Sequence, residues 1–167
     1  MPNRENTSQT ATAIPTLYWY VPETKAVKGE FVITDAQNQE VYYTSFALPG
    51  QSGIVKLSIP PQAALKVGQT YSWAFMIVCE PNRRNWDKYV RGTIEYVQLD
   101  AQQKKTLNSV KGLEKAKLTA KANLWAETLA EIAQLRSSYP KEWTELLKSV
   151  GLDSLVEKPF INCCKPE

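Results

Sequence analysis

The period of the apolar residues changes once along the chain, near Asp100, and that single change limits the folds available to it. Before it, Tyr71, Trp73, Phe75, Ile77 and Cys79 recur at every second position, as on one face of a half-buried strand. After it, Leu129, Ile132 and Leu135 recur at helical spacing. A chain of 167 residues is long enough to bury a core. The expected fold class is therefore α+β: an N-terminal antiparallel, immunoglobulin-like β-sandwich over residues 16–99, then a helical segment over 100–155 packed on it. Residues 1–15 carry no periodicity and are expected to be disordered, and 156–167 form a C-terminal tail.

Six strands are predicted, at Leu17–Val21, Phe31–Thr34, Glu40–Leu48, Ile54–Ile59, Thr70–Glu80 and Tyr89–Leu99, separated by Pro, Gly, Asp and Asn. Asp100 is placed to cap a helix carrying Leu107 and Val110, which Gly112 interrupts. A second helix, Leu113 to Asn123, turns Leu113, Ala116, Ala120 and Leu124 to one face. A third runs over Trp125–Ser138, and Pro140 opens a fourth, ended by Gly151 as a C′ glycine. Trp125 to Pro140 resembles one helix of a tetratricopeptide-like pair; a single such unit cannot make a solenoid.

The composition also excludes chemistry. The chain has no histidine, which removes Ser-His-Asp and Cys-His nucleophile pairs and every histidine-containing metal site. No Gly-rich phosphate loop or dinucleotide fingerprint occurs, so no cofactor and no metal are expected. A pI near 8.7 is too mild to argue for nucleic acid. No apolar run approaches the roughly 20 residues of a membrane span. Met1 to Pro15 has no apolar stretch of the kind a signal peptide needs, so none is expected within this chain.

Three cysteines, Cys79, Cys163 and Cys164, allow at most one intrachain bridge. A vicinal Cys163–Cys164 bridge would need a strained ring. A bridge from Cys79 to one of the pair is the favoured expectation; it would close a loop of about 85 residues and contribute on the order of 4 kcal/mol. The alternative is three reduced thiols, with Cys79 a small buried hydrophobe.

The stretch most suggestive of function runs from Glu80 to Tyr89. It gathers Arg83, Arg84, Trp86 and Asp87 on one connection, residue types suited to a ligand or partner-binding loop. The arginines could grip an anionic group and Trp86 could stack on a sugar. The bland reading has the arginines paired to Glu80 and Asp87 and Trp86 packed on a sheet edge. Glu80 and Asp87 could also serve a carboxylate-dependent hydrolase, which needs no histidine. Tyr18, Trp19 and Tyr20 form a second aromatic cluster, readable as a sugar-stacking face or as core. Lys104, Lys105, Lys111, Lys115, Lys117 and Lys121 form a basic stripe, read as a solvated face.

Phe31 with Asp35, Val41-Tyr42, Leu48-Pro49-Gly50, Gly68 with Tyr71-Ser72-Trp73, Ile77-Val78-Cys79, Gly92, Leu135-Arg136, Trp143 with Leu146-Leu147, Ser149-Val150-Gly151-Leu152 and Cys163-Cys164 together resemble the cyanobacterial Domain of Unknown Function 928 family. The chain departs from that pattern at Glu80, where the family tends to carry Asp, and at Ala126-Glu127, where it carries Tyr-Asp. The resemblance implies an exported, periplasmic or extracellular protein with no established activity, and pairing of Cys79 with the C-terminal cysteines. The expectation is a non-catalytic binding or structural protein of the cell envelope that meets a protein partner. A carbohydrate-binding module is the alternative, and a hydrolase the third reading.

Overall fold

Alternation along Tyr18-Trp19-Tyr20 sends Trp19 to one side of its strand and both tyrosines to the other, so this strand must be covered on two faces. The computed structural model, which describes residues 7–163, meets that demand with three layers. The strands are β1 (Thr7–Thr10), β2 (Thr16–Val21), β3 (Lys28–Thr34), β4 (Glu40–Ala47), β5 (Gly53–Ser58), β6 (Thr70–Val78) and β7 (Lys88–Tyr96). The helices are α1 (Ala101–Ser109), α2 (Gly112–Lys121), α3 (Trp125–Leu135) and α4 (Pro140–Lys148). A five-stranded sheet in the order β1-β7-β6-β3-β4 faces a two-stranded antiparallel sheet, β2-β5, and the helices cover the other face of the small sheet. Among the described residues, no helix is long and apolar enough to cross a membrane.

The principal core fills the space between the two sheets. Phe31, Ile33, Phe46, Tyr71, Phe75, Ile77 and Ile94 of the larger sheet meet Leu17, Trp19, Val21, Val55 and Leu57 of the smaller. Trp19 stacks on Phe31 at 5.6 Å between ring centroids and lies 4.6 Å from Phe75. A second core joins Ile54 and Tyr18, on the far face of the small sheet, to Ala116, Leu129, Ile132, Trp143 and Leu147.

Four expectations need correction. Thr7–Thr10, expected to be disordered, is a strand: it pairs in parallel with Thr93–Tyr96, and Glu127 accepts hydrogen bonds from Thr10 Oγ1 (2.8 Å) and the Ala11 amide (2.7 Å). Its short polar side chains gave no periodicity because the ladder and Glu127 hold it, not an apolar face. The larger sheet is consequently mixed, where an antiparallel one was expected. In α2 it is Thr119, not Ala120, that faces inward, since Thr119 donates to the Ala116 carbonyl and accepts from Thr128 of α3 at 3.0 Å. Finally, α1 forms with the expected Asp100 cap, a capping box closed by Gln103, but buries none of its residues.

The C-terminal tail was expected to be tied back by a disulfide. Backbone pairing and one arginine hold it instead. The Ile54 amide donates to the Pro159 carbonyl (2.7 Å) and the Ile161 amide to the Ile54 carbonyl (3.0 Å), so the tail runs as a short parallel neighbour of β5. Arg136 donates to the carbonyls of Lys158 (2.9 Å) and Val156 (3.2 Å), and the Trp143 indole donates to Val156 (3.0 Å). Gly151 performs its expected role: at φ +74°, it lets its own amide reach Lys148 and that of Leu152 reach Leu147, which closes α4 and turns the chain toward the tail.

Cys79 is a free, exposed thiol. Val78 pairs across the sheet with Lys28, and Lys28 pairs in turn with Ala47, whose carbonyl lies 3.8 Å from Cys163 Sγ. Strand β3 therefore stands between the end of β6, which leads into Cys79, and the end of β4, which Cys163 borders. Cys164 lies outside the described residues.

Gly53 gives a test of the tail contact. A Cβ there would stand 2.6 Å from Ile161 Cγ2 and 2.8 Å from the Pro159 carbonyl oxygen. Gly53→Ala is expected to cost about 1–3 kcal/mol in urea unfolding and to speed hydrogen exchange at the Ile54 amide. Unchanged exchange at Ile54 would show that the tail does not depend on this approach.

Candidate functional site

The loop that joins β6 to β7 contains all four of the sequence-predicted partner-binding residues, and their roles diverge. Arg84–Trp86 forms a single 3₁₀ turn, with Arg83 accepting from the Trp86 amide (3.0 Å) and Arg84 from the Asp87 amide (3.2 Å). Arg84 and Asp87 are structural. The Arg84 guanidinium donates from Nε to Asp87 Oδ2 at 2.6 Å and from Nη2 to Glu30 Oε2 at 2.6 Å, with a longer contact of 3.4 Å to Glu30 Oε1. The other Asp87 oxygen accepts from the Cys79 amide at 3.1 Å, which ties the end of the loop to the end of β6. Both oxygens of Asp87 are therefore engaged, and Arg84 pairs with Glu30 where Glu80 was the expected partner.

Glu30 is the residue that the sequence reading missed. It stands in β3, on the face of the larger sheet turned away from the core, yet it is buried. Lys28 Nζ lies 3.1 Å from its Oε1, and Tyr43 donates a further hydrogen bond. Burial alone would push the Glu30 carboxyl up; hydrogen bonds from Arg84, Lys28 and Tyr43 outweigh it and hold the group below the ordinary carboxylate range. Hydrogen bonds to Glu30 and then to Asp87 raise Arg84 above its already high value. No spacing rule links Glu30 to Arg84, 54 positions away; only the pairing of β3 with β6 brings them together.

Arg83 and Trp86 remain available. The Arg83 guanidinium lies 4.8 Å from the Trp86 ring centroid, and Trp86 is 52% exposed. On the outer face of the sheet stand Tyr89 of β7 and Tyr43 of β4, 66% and 44% exposed: Tyr89 lies in the row Tyr89–Met76–Glu30–Ser45, and Tyr43 lies opposite Val32, two residues along β3 from Glu30. The result is an outer sheet face that carries exposed tyrosines, next to an arginine- and tryptophan-bearing loop pinned by ion pairs.

The cluster Tyr18-Trp19-Tyr20 is core: Trp19 is buried between the sheets, and the tyrosines are half-buried under the helices and the tail. These same residues border a second feature, a cavity of about 410 Å³ where both sheets meet α3 and α4. In the basic stripe, Lys115 pairs with Glu131 at 2.6 Å, while Lys104, Lys105, Lys111, Lys117 and Lys121 are exposed. Among the described residues, no three Cys, Asp or Glu side chains gather as a metal site.

The Glu30 network predicts a sign. Because the folded-state carboxyl sits below its ordinary value, its stabilisation is present at neutral pH and is lost as pH falls through and below the usual carboxylate range. Glu30→Gln is expected to cost about 1–2 kcal/mol at neutral pH, to flatten this part of the acid stability profile and to speed exchange at the Cys79 amide. Identical acid slopes in the two proteins would disprove the assignment.

No curated protein matches the chain, and no solved structure matches it. A family model, that of the Domain of Unknown Function (DUF928), matches residues 1–160. With all but the last few residues covered by that model, the chain belongs to the DUF928 family.

Proposed function

We propose that this chain is a non-catalytic binding protein of the cell envelope that meets a protein partner through the outer face of its five-stranded sheet. One observation carries the reading: Trp86 with Arg83 over its ring on the loop, and Tyr89 and Tyr43 on the outer sheet face, are all exposed, and the loop is already held by Arg84, Glu30 and Asp87. Trp, Tyr and Arg are the side chains that contribute most at protein interfaces, and a loop ordered before binding loses little entropy on docking. The periplasmic or extracellular location and the cyanobacterial setting rest on the family resemblance. In the same reading the two facing sheets are a shortened immunoglobulin-like sandwich, and α2 with α3 a tetratricopeptide-like pair.

Carbohydrate binding is the second reading, favoured by the exposure of both Trp86 and Tyr89. The hydrolase reading fares worse, because Asp87 is committed on both oxygens.

A photo-crosslinking residue placed at Tyr89 in living cells is expected to trap a discrete protein adduct that Trp86→Ala abolishes, while the same residue at Lys105 on α1 traps none. Trp86→Ala should leave unfolding within about 0.5 kcal/mol of the parent. Adducts identical at both positions would sink the proposal, and retention on a glycan array that Trp86→Ala removes would transfer it to carbohydrate.

A further inference from the structure

The cavity between the layers lies on the other side of the larger sheet from the loop described above. We propose that it is a binding site for a neutral, lipophilic small molecule with a planar ring system and one hydrogen-bond acceptor.

The two sheets are unequal, and the cavity follows from that. β2 is the last strand of its sheet, while the larger sheet continues past it through β7 and β1. Beyond β2, the inward-facing Ser8 and Val90 look toward α3 and α4 instead of toward another strand. Helices are thicker than strands and pack less closely on a sheet, so space remains. Val90 shows the consequence: it stands on the same face as buried Ile94, yet it is 38% exposed.

The lining defines the occupant. Six aromatic side chains border the space, Tyr18, Trp19, Tyr20, Trp73, Trp125 and Trp143, and among the described residues no Lys, Arg, Asp or Glu does. A charged ligand would lose its hydration with nothing to pair it. A neutral planar one could stack on the rings, and about 410 Å³ lies within the range of small-molecule sites.

Two kinds of donor call for an acceptor. The indole N–H groups of Trp19 and Trp73, both lining residues, are buried without a hydrogen-bond partner among the described residues. Such an orphan carries a cost that a bound acceptor removes. The second donor set is the backbone of β2. Ile54 turns its peptide groups to the tail, so the antiparallel register directs those of Trp19 to β5 and those of Tyr18 and Tyr20 to the opposite edge, which no described strand pairs.

The test is titration of the whole chain with Nile red, a neutral planar dye that carries a carbonyl. Saturable binding of one dye per chain is expected, with tryptophan emission quenched. Val90→Trp and Leu152→Trp, at half-exposed positions on the lining, are each expected to weaken binding at least tenfold, and Trp86→Ala to leave it unchanged. Pyrene, planar but without an acceptor, should bind at least tenfold more weakly than Nile red. Indole N–H resonances of the unmodified protein provide a readout that no variant's folding can confound: the signals of Trp73 and Trp125 should shift with dye, and that of Trp86 should not. Unsaturable binding, unchanged affinity in folded lining variants, equal affinity for pyrene, or shifts confined to Trp86 would each overturn the proposal. Because the crosslinking experiment addresses the opposite face of the sheet, either reading can fail without the other.

Discussion

Both faces of the β2–β5 ribbon have to be buried, and the outer layers are arranged around that demand. Two strands alone are not stable in water. Here one face presents Leu17, Trp19, Val21, Val55 and Leu57 to the larger sheet, and the other presents Tyr18 and Ile54 to the helices. The ribbon is the middle layer, and each outer layer depends on it for the apolar surface that it covers. Trp19, packed against Phe31 and Phe75, fixes its distance from the larger sheet.

The C-terminal tail belongs to the same solution. Its pairing with Ile54 protects the outer edge of β5, and Arg136, 5.4 Å from the ring centroids of both Trp143 and Phe160, fastens the tail to the helices. An exposed strand edge is an invitation to aggregate, so covering it has value apart from the contacts made. The other edge, that of β2, borders the cavity, and the two edges therefore differ in what they can recruit. On the far side of the larger sheet, the Glu30 network does for the 79–87 loop what Arg136 does for the tail, with charge-assisted bonds where apolar contact is scarce.

Much of this was legible from residue order, for physical reasons. All six predicted strands are present, and the capping role of Asp100 and the turn at Gly151 follow from local backbone chemistry. β1 was illegible because its stability comes from a partner 86 positions away and from Glu127, neither of which leaves a local pattern. Thr119 was misjudged because a buried hydroxyl pair looks polar in sequence. In the candidate site, Arg83, Arg84, Trp86 and Asp87 were found by composition, but their division into anchors and exposed groups was not. That division rests on Glu30, an acidic residue in a strand whose partner only the sheet register reveals.

Side-chain period, backbone preference and residue identity are local, and from them residue order carries the α+β class, strands β2 to β7, the helices and the lack of histidine. Tertiary structure alone decided that the large sheet is mixed, that Cys79 stands apart as a free thiol, that Tyr18 and Tyr20 face helices, and that an aromatic cavity remains beside β2. Each of these is a relation between residues far apart in the chain. Such relations are set by which faces must be buried together and by how unequal layers fill space.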